Sequence, residues 1–163
     1  MKHINFPKDF IWGTASSSYQ TEGAYNRDGK GASIWDTFCR KDGAIAEGSD
    51  GTIACGYYDK YEEDIRLMAE AGIRAYRFSI SWPRIFPNGD DTAVNAAGLA
   101  FYDRVTDCCI RYGIQPHITL FHWDLPQSLS DRGGWLNENT IQAFVRYAAV
   151  ICEHFSDRVT YFS

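Results

Sequence analysis

No stretch of this 163-residue chain approaches the roughly 18 consecutive apolar residues that a membrane-spanning helix requires. Positive charge is also in short supply. Sixteen Lys+Arg face 21 Asp+Glu, a net charge of −5, which argues against nucleic acid or an anionic membrane as the main partner. The five cysteines, Cys39, Cys55, Cys108, Cys109 and Cys152, are odd in number and include no Cys-x-x-Cys pair. Neither a disulfide framework nor a zinc site is therefore expected. The opening run Met-Lys-His-Ile-Asn-Phe-Pro has no long apolar core of a secretion signal, so a cytoplasmic protein is expected. Neither Gly-x-Gly-x-x-Gly nor Gly-Lys-Ser/Thr occurs in the first strand-to-helix turn, which speaks against nucleotide binding.

What is abundant is aromatic surface: 15% of residues, with ten Tyr, ten Phe and five Trp. Aromatic rings fill cores, and they also match the apolar faces of sugars; composition does not separate the two uses. Along the chain, residues 10–15 read as a first strand and 16–23 as a loop or short helical turn. A long Gly-, Asp- and Ser-rich connection then runs to about Gly56, and loops of that length inside a domain tend to be functional. Tyr58, Tyr61, Ile65 and Met68 recur at helical spacing, which predicts a helix over 57–71 with a Glu62–Arg66 pair on its outer face and Gly72 past its end. Residues 75–80 read as a second strand. Asn95 is a candidate N-cap for a helix ending at Gly113. The run 113–121 reads as a third strand, delivering His122, Trp123 and Asp124. Asn137 is expected to cap a last helix whose apolar stripe is Ile141, Phe144, Val145, Ala148, Ile151, Cys152 and Phe155, and 158–162 begins a fourth strand.

Two stretches repeat. Gly72-Ile73 is followed by Trp82, and Gly113-Ile114 by Trp123, at an offset of 41 residues. A repeat of that length suggests stacked strand–helix units. Right-handed crossovers then give parallel strands with helices outside. A doubly wound sheet and half of a (β/α)8 barrel both fit, and the barrel is preferred.

In a barrel, polar residues at strand carboxyl ends meet at one mouth. Those residues are Tyr19, Gln20 and Glu22, then Arg77, then His122, Trp123 and Asp124. Gln and neutral His can donate and accept together, which suits adjacent sugar hydroxyls, and Trp offers a stacking face. An inward Arg77 needs a carboxylate partner. Glu22 is expected to be a structural carboxylate, Asp124 to cap the turn before Pro126, and His117 to be a packed core histidine. His3 and His154 look peripheral.

The stretches Phe-Ile-Trp-Gly-Thr-Ala-Ser-Ser-Ser-Tyr-Gln-Thr-Glu-Gly (10–23), Gly-Lys-Gly-Ala-Ser-Ile-Trp-Asp-Thr-Phe (29–38) and Tyr-Arg-Phe-Ser-Ile-Ser-Trp-Pro-Arg-Ile-Phe-Pro-Asn-Gly (76–89) carry a resemblance. So do Thr-Leu-Phe-His-Trp-Asp-Leu-Pro-Gln (119–127) and Gly-Gly-Trp-Leu-Asn (133–137). Together they resemble glycoside hydrolase family one over the whole chain. That resemblance implies a (β/α)8 barrel of retaining β-glycosidases, most often β-glucosidases acting on β-glucosides or cello-oligosaccharides, with no cofactor or metal. It implies that Gln20 and His122 hydrogen-bond the non-reducing sugar, that Trp123 lines that subsite, and that Arg77 lies beside the nucleophile. Phosphosugar members commonly carry Asn-Gln-Cys-Glu-Gly and His-Phe-Glu-Met-Pro, where this chain has Tyr-Gln-Thr-Glu-Gly and His-Trp-Asp-Leu-Pro. The resemblance is therefore to the unphosphorylated-substrate type. Ala-Cys-Gly-Tyr-Tyr (54–58) and Thr21 depart from the family's commoner Ala-Cys-Asp-His-Tyr and Ile.

The family's acid/base motif, Thr-x-Asn-Glu-Pro, and its nucleophile motif, Thr-Glu-Asn-Gly, are both absent. Residues 1–163 are thus expected to be the N-terminal half of one barrel domain, three βα units plus the start of strand four, without either catalytic Glu. The missing C-terminal half is the expected partner, and self-association through open sheet edges is expected of the isolated piece. The alternatives are a fragment of a 6-phospho-β-glucosidase and a non-catalytic half-barrel that binds sugar or a partner.

Overall fold

The computed structural model describes residues 5–163. Four strands, β1 (Gly13–Ala15), β2 (Ala75–Ser79), β3 (Gln115–Thr119) and β4 (Tyr161–Phe162), form one parallel sheet in the order β1-β2-β3-β4. Between them run α1 (Ser18–Thr21), α2 (Ile34–Cys39) and α3 (Tyr57–Glu70), then α4 (Trp82–Ile85) and α5 (Ala96–Arg111). The last crossover holds α6 (Gln127–Asp131), a 3-10 turn (Gly134–Leu136) and α7 (Glu138–Phe155). Strand order follows chain order without reversal, so the sheet lacks the switch point of a doubly wound fold. The barrel expectation holds. His3 lies outside the described residues.

The period-2 alternation of the strands separates two faces. Tyr76, Phe78, Ile118 and Pro116 point to the helix side, where they join α3, α5 and α7 residues such as Ile65, Phe101, Val105, Tyr147 and Ile151 in one core. The opposite side carries a lateral row set by strand register, Ala15, Arg77, His117 and Tyr161. There Ala15, Arg77 and Tyr161 are exposed. β1 and β4 each have one partner strand among the described residues.

Three local expectations change. The outer face of α3 has no Glu62–Arg66 pair: Arg66 bonds Glu70 one turn on, and Glu62 reaches across to Arg111 on α5. The buried arc of α7 is Thr140, Ala143, Tyr147, Ile151 and Phe155, whereas Ile141 and Val145 are exposed. Strand one is also shorter than its apolar run: Phe10, Ile11 and Trp12 lie before it and are exposed.

Helix α2 starts from a capping box. Ser33 Oγ accepts from Asp36 N, while Asp36 Oδ2 accepts from Ser33 N and from Ser33 Oγ, and Lys30 Nζ lies 3.0 Å away in a nearly buried ion pair. Ser33→Ala is expected to cost about 1 kcal/mol in urea unfolding. An unchanged midpoint would mean that Lys30 and the backbone N–H of residue 33 hold Asp36 without the hydroxyl.

Candidate functional site

The site is built at the carboxyl edge of the sheet, where three strand ends are tied by side chains from distant parts of the chain. Helix α1 follows β1 directly, and its first residue, Ser18, lies on the end of β2: Ser18 N donates to Ser79 Oγ (2.8 Å), and Ser79 Oγ donates to Ser18 Oγ (3.1 Å). Ser18 Oγ in turn donates to Asp124 Oδ2 (2.9 Å), just past β3. The helix layer supports the same edge. The Tyr147 hydroxyl of α7 lies 2.8 Å from Leu120 O and 3.1 Å from Ile80 O, and the Tyr102 hydroxyl of α5 accepts from Ser81 N at 2.8 Å.

Glu22 is locked beneath this edge. Its Oε2 accepts from Arg84 Nε (3.1 Å) and Nη2 (3.0 Å), and its Oε1 accepts from the Tyr102 hydroxyl (2.6 Å). Arg84 is 0% exposed and its guanidinium also sits 4.4 Å from the centre of the Tyr58 ring. Burial pushes the Glu22 carboxyl above the ordinary range, against the pull of Arg84 and Tyr102. Glu22 is therefore the structural carboxylate that the sequence suggested. Its partner, Arg84, was not anticipated from the sequence; the visible signal was only an arginine inside the apolar run 82–86.

Asp124 differs from its expectation. Its bond to Ser18 crosses 106 positions of chain and does not serve the turn before Pro126. Burial raises its carboxyl, and the Ser18 and Ser81 hydroxyls draw it back down. That turn is held instead by backbone: Ile34 N donates to Leu125 O, Gln127 N donates to Ala32 O, and Ser33 bridges to Pro126. The 29–38 and 119–127 motifs are thus one stitched unit.

The expected sugar-holding residues lie around this frame. Gln20 is exposed on α1, two residues after Ser18, and makes no side-chain hydrogen bond among the described residues. His122 is half-buried. Trp123 is 68% exposed and sits at φ 74°, a left-handed conformation rare for a bulky side chain. Such strain persists only where neighbours enforce it, and it gathers at ligand sites. Arg77 lies deeper, one register step before the Ser79 row, on the open face and with no carboxylate bonded to it among the described residues. The carboxylate that does bond an arginine here, Glu22, belongs to Arg84.

His117 is half-buried and lies outside the helix-side core. It is on the open face beside Arg77, its ring stacked on Tyr161 at 4.4 Å, and desolvation lowers its basicity. His154 is peripheral, bonded to Asp103 at 2.7 Å. Among the described residues no three of His, Cys, Asp and Glu are grouped to hold a metal, and no helix is long and apolar enough to cross a membrane.

The family model for Glycosyl hydrolase family 1 matches residues 2–163. Beta-glucosidase A of Acetivibrio thermocellus is 56% identical over 159 residues, covering 98% of this chain and 35% of its own length. An aryl-phospho-beta-D-glucosidase of Bacillus subtilis is 50% identical over 158 residues, covering 96% and 33%. Among solved structures, a mutant rice beta-glucosidase in a covalent complex with Glc superposes with a TM-score of 0.93 at 47% identity, covering 96% of this chain and 33% of its own. The chain thus spans about a third of the length of the curated relatives it matches.

Proposed function

The chain belongs to glycosyl hydrolase family 1, and from that membership we propose that it is the sugar-holding first half of a retaining β-glucosidase barrel. The observation that carries this reading is the placement of an amide (Gln20), an imidazole (His122) and a strained, exposed indole (Trp123) around one bonded frame at the carboxyl edge of parallel strands. Gln20 and His122 bond the hydroxyls of a terminal β-D-glucosyl unit, Trp123 lines its apolar face, and Arg77 keeps the nucleophile ionised.

Retention requires two carboxylates roughly 5 Å apart, one acid/base and one nucleophile. We place both beyond Ser163. The acidic groups near this edge, Glu22 and Asp124, are engaged in buried structural bonds and offer neither role. The covalent Glc complex of the rice relative supports a glycosyl-enzyme route. The five free thiols suit a reducing, cytoplasmic setting. A phosphorylated substrate is the second reading, favoured by the Bacillus relative's name and opposed by the Trp123-Asp124 and Tyr19-Gln20-Thr21 motif forms.

The test has two parts. The full-length protein is expected to hydrolyse p-nitrophenyl β-glucoside in preference to its 6-phosphate. The isolated 163-residue chain is expected to show no turnover and to sediment above monomer mass, because β1 and β4 keep open edges. Preference for the phosphate selects the second reading. Turnover by the isolated chain, or a clean monomer, overturns the assignment of this segment.

A further inference from the structure

The residues proposed to touch sugar are held by nothing of their own. Gln20 and His122 have no side-chain hydrogen bond among the described residues, and Trp123 holds a backbone conformation that its own side chain disfavours. Two residues before Gln20 and one after Trp123, however, stand the buried, hydrogen-bonded side chains of Ser18 and Asp124. We propose that Ser18 and Asp124 are positioning residues, a two-residue clamp that fixes Gln20 and Trp123 relative to each other. The proposal rests on the sugar-holding reading above.

The bonding is directional. Ser79 Oγ accepts from Ser18 N, so its single proton is free to go to Ser18 Oγ; that oxygen then uses its own proton on Asp124 Oδ2. Each hydroxyl donates once and accepts once, and the carboxylate only accepts. All three residues are at most 4% exposed, so water does not compete for these bonds. The relay therefore links the ends of β1, β2 and β3. Gln20 follows Ser18 within the same helical turn, and Trp123 directly precedes Asp124.

Past Asp124 the chain is pinned at once by Ile34 N to Leu125 O (2.9 Å), and before Trp123 it is pinned by the Tyr147 hydroxyl at Leu120 O. Residues 121–123 span these two anchors. Asp124 fixes where the span ends, and the left-handed turn at Trp123 is the conformation that lets it close. The remaining Asp124 oxygen, Oδ1, is buried with no bonded partner. Ser18 therefore supplies the short hydrogen bond to this buried carboxyl, with the Ser81 hydroxyl the other group that acts on it.

The experiment uses the full-length enzyme and deoxynojirimycin, a glucose-shaped amine, with affinity read by calorimetry. Ser18→Ala is expected to weaken binding about tenfold, the scale of one hydrogen bond to a charged group. Trp123→Ala weakens it as well, and the double variant should lose less than the sum of the two single losses, because without the indole only Gln20 is left to position. Asp124→Asn, which keeps an acceptor oxygen but no charge, should fall between wild type and Ser18→Ala, and it carries the comparison if Ser18→Ala does not fold. Additive losses, or unchanged affinity in a Ser18→Ala protein of lower melting temperature, overturn the clamp and leave a structural hydroxyl. If the wild-type enzyme binds no deoxynojirimycin, the sugar-holding reading fails. The clamp is then judged by hydrogen exchange, where Ser18→Ala must speed exchange in both 18–23 and 119–124; a change in one segment only overturns it.

Discussion

Arg84→Met is expected to lower stability by about 3–5 kcal/mol, the cost of removing one partner from a buried ion pair. The size follows from what the substitution leaves behind. Glu22 would keep the Tyr102 bond but lose both guanidinium donors, and its carboxylate would sit uncompensated in the core. Methionine fills much of the arginine's volume against Tyr58 and Phe101, so the loss is chiefly electrostatic. The sign with pH is then determined. Burial already raises the Glu22 carboxyl, and removing Arg84 deletes the largest influence that opposes the rise. A carboxyl raised in the folded state contributes its stability fully below the unfolded value of about 4.3 and loses it as pH climbs through the folded value. The penalty of Arg84→Met should therefore be small in acid and grow toward neutrality. Adding Glu22→Gln should recover part of the loss near pH 7. Denaturant unfolding at several pH values checks all three points. A penalty below 1 kcal/mol at neutral pH, or one that grows in acid, would contradict the assignment.

Much of the architecture was readable because it rests on local signals. Helical spacing located α3, α5 and α7; Gly72 and Gly113 ended two of the helices in left-handed conformations (φ 84° and 69°). The 41-residue repeat pointed to stacked βα units. The strand ends also brought Gln20, His122 and Trp123 to one edge, although their contact with a sugar is a proposal. What was not readable depends on distant pairing. Arg77 and Arg84 both sit in apolar surroundings, and nothing local says that Glu22, 62 positions from Arg84, bonds the second one. Spacing also could not choose between two apolar arcs of α7, because a barrel helix meets the sheet on one side and neighbouring helices on its flanks. Ile141 and Val145 are exposed, and Tyr147, polar enough to be passed over, is the residue that meets the sheet ends.

A glycine that the sequence reading passed over has the second large expected effect. Gly98→Ala, in the first turn of α5, should destabilise the protein by about 3 kcal/mol, at the upper end of overpacking costs. In a solvated helix the same change adds stability, up to about 1 kcal/mol, so the predicted sign is opposite to the propensity rule. The reason is distance. A Cβ on Gly98 would lie 2.1 Å from Arg84 O and 3.0 Å from Arg84 Cγ, and the first of these is backbone that cannot rotate away. Either α5 or α4 must retreat. Gly98 and Tyr102 are four apart and share one helix face. Retreat of α5 would therefore lengthen the 2.6 Å bond from Tyr102 to Glu22 and the 2.8 Å bond from Ser81 N to the Tyr102 hydroxyl. Gly98→Ala and Tyr102→Phe should thus be less than additive: once α5 has moved, removing the hydroxyl costs little more. Unfolding free energies of the two single variants and the double variant measure this. Simple additivity, or a Gly98→Ala protein as stable as the wild type, would show that α5 reaches its place without the close approach.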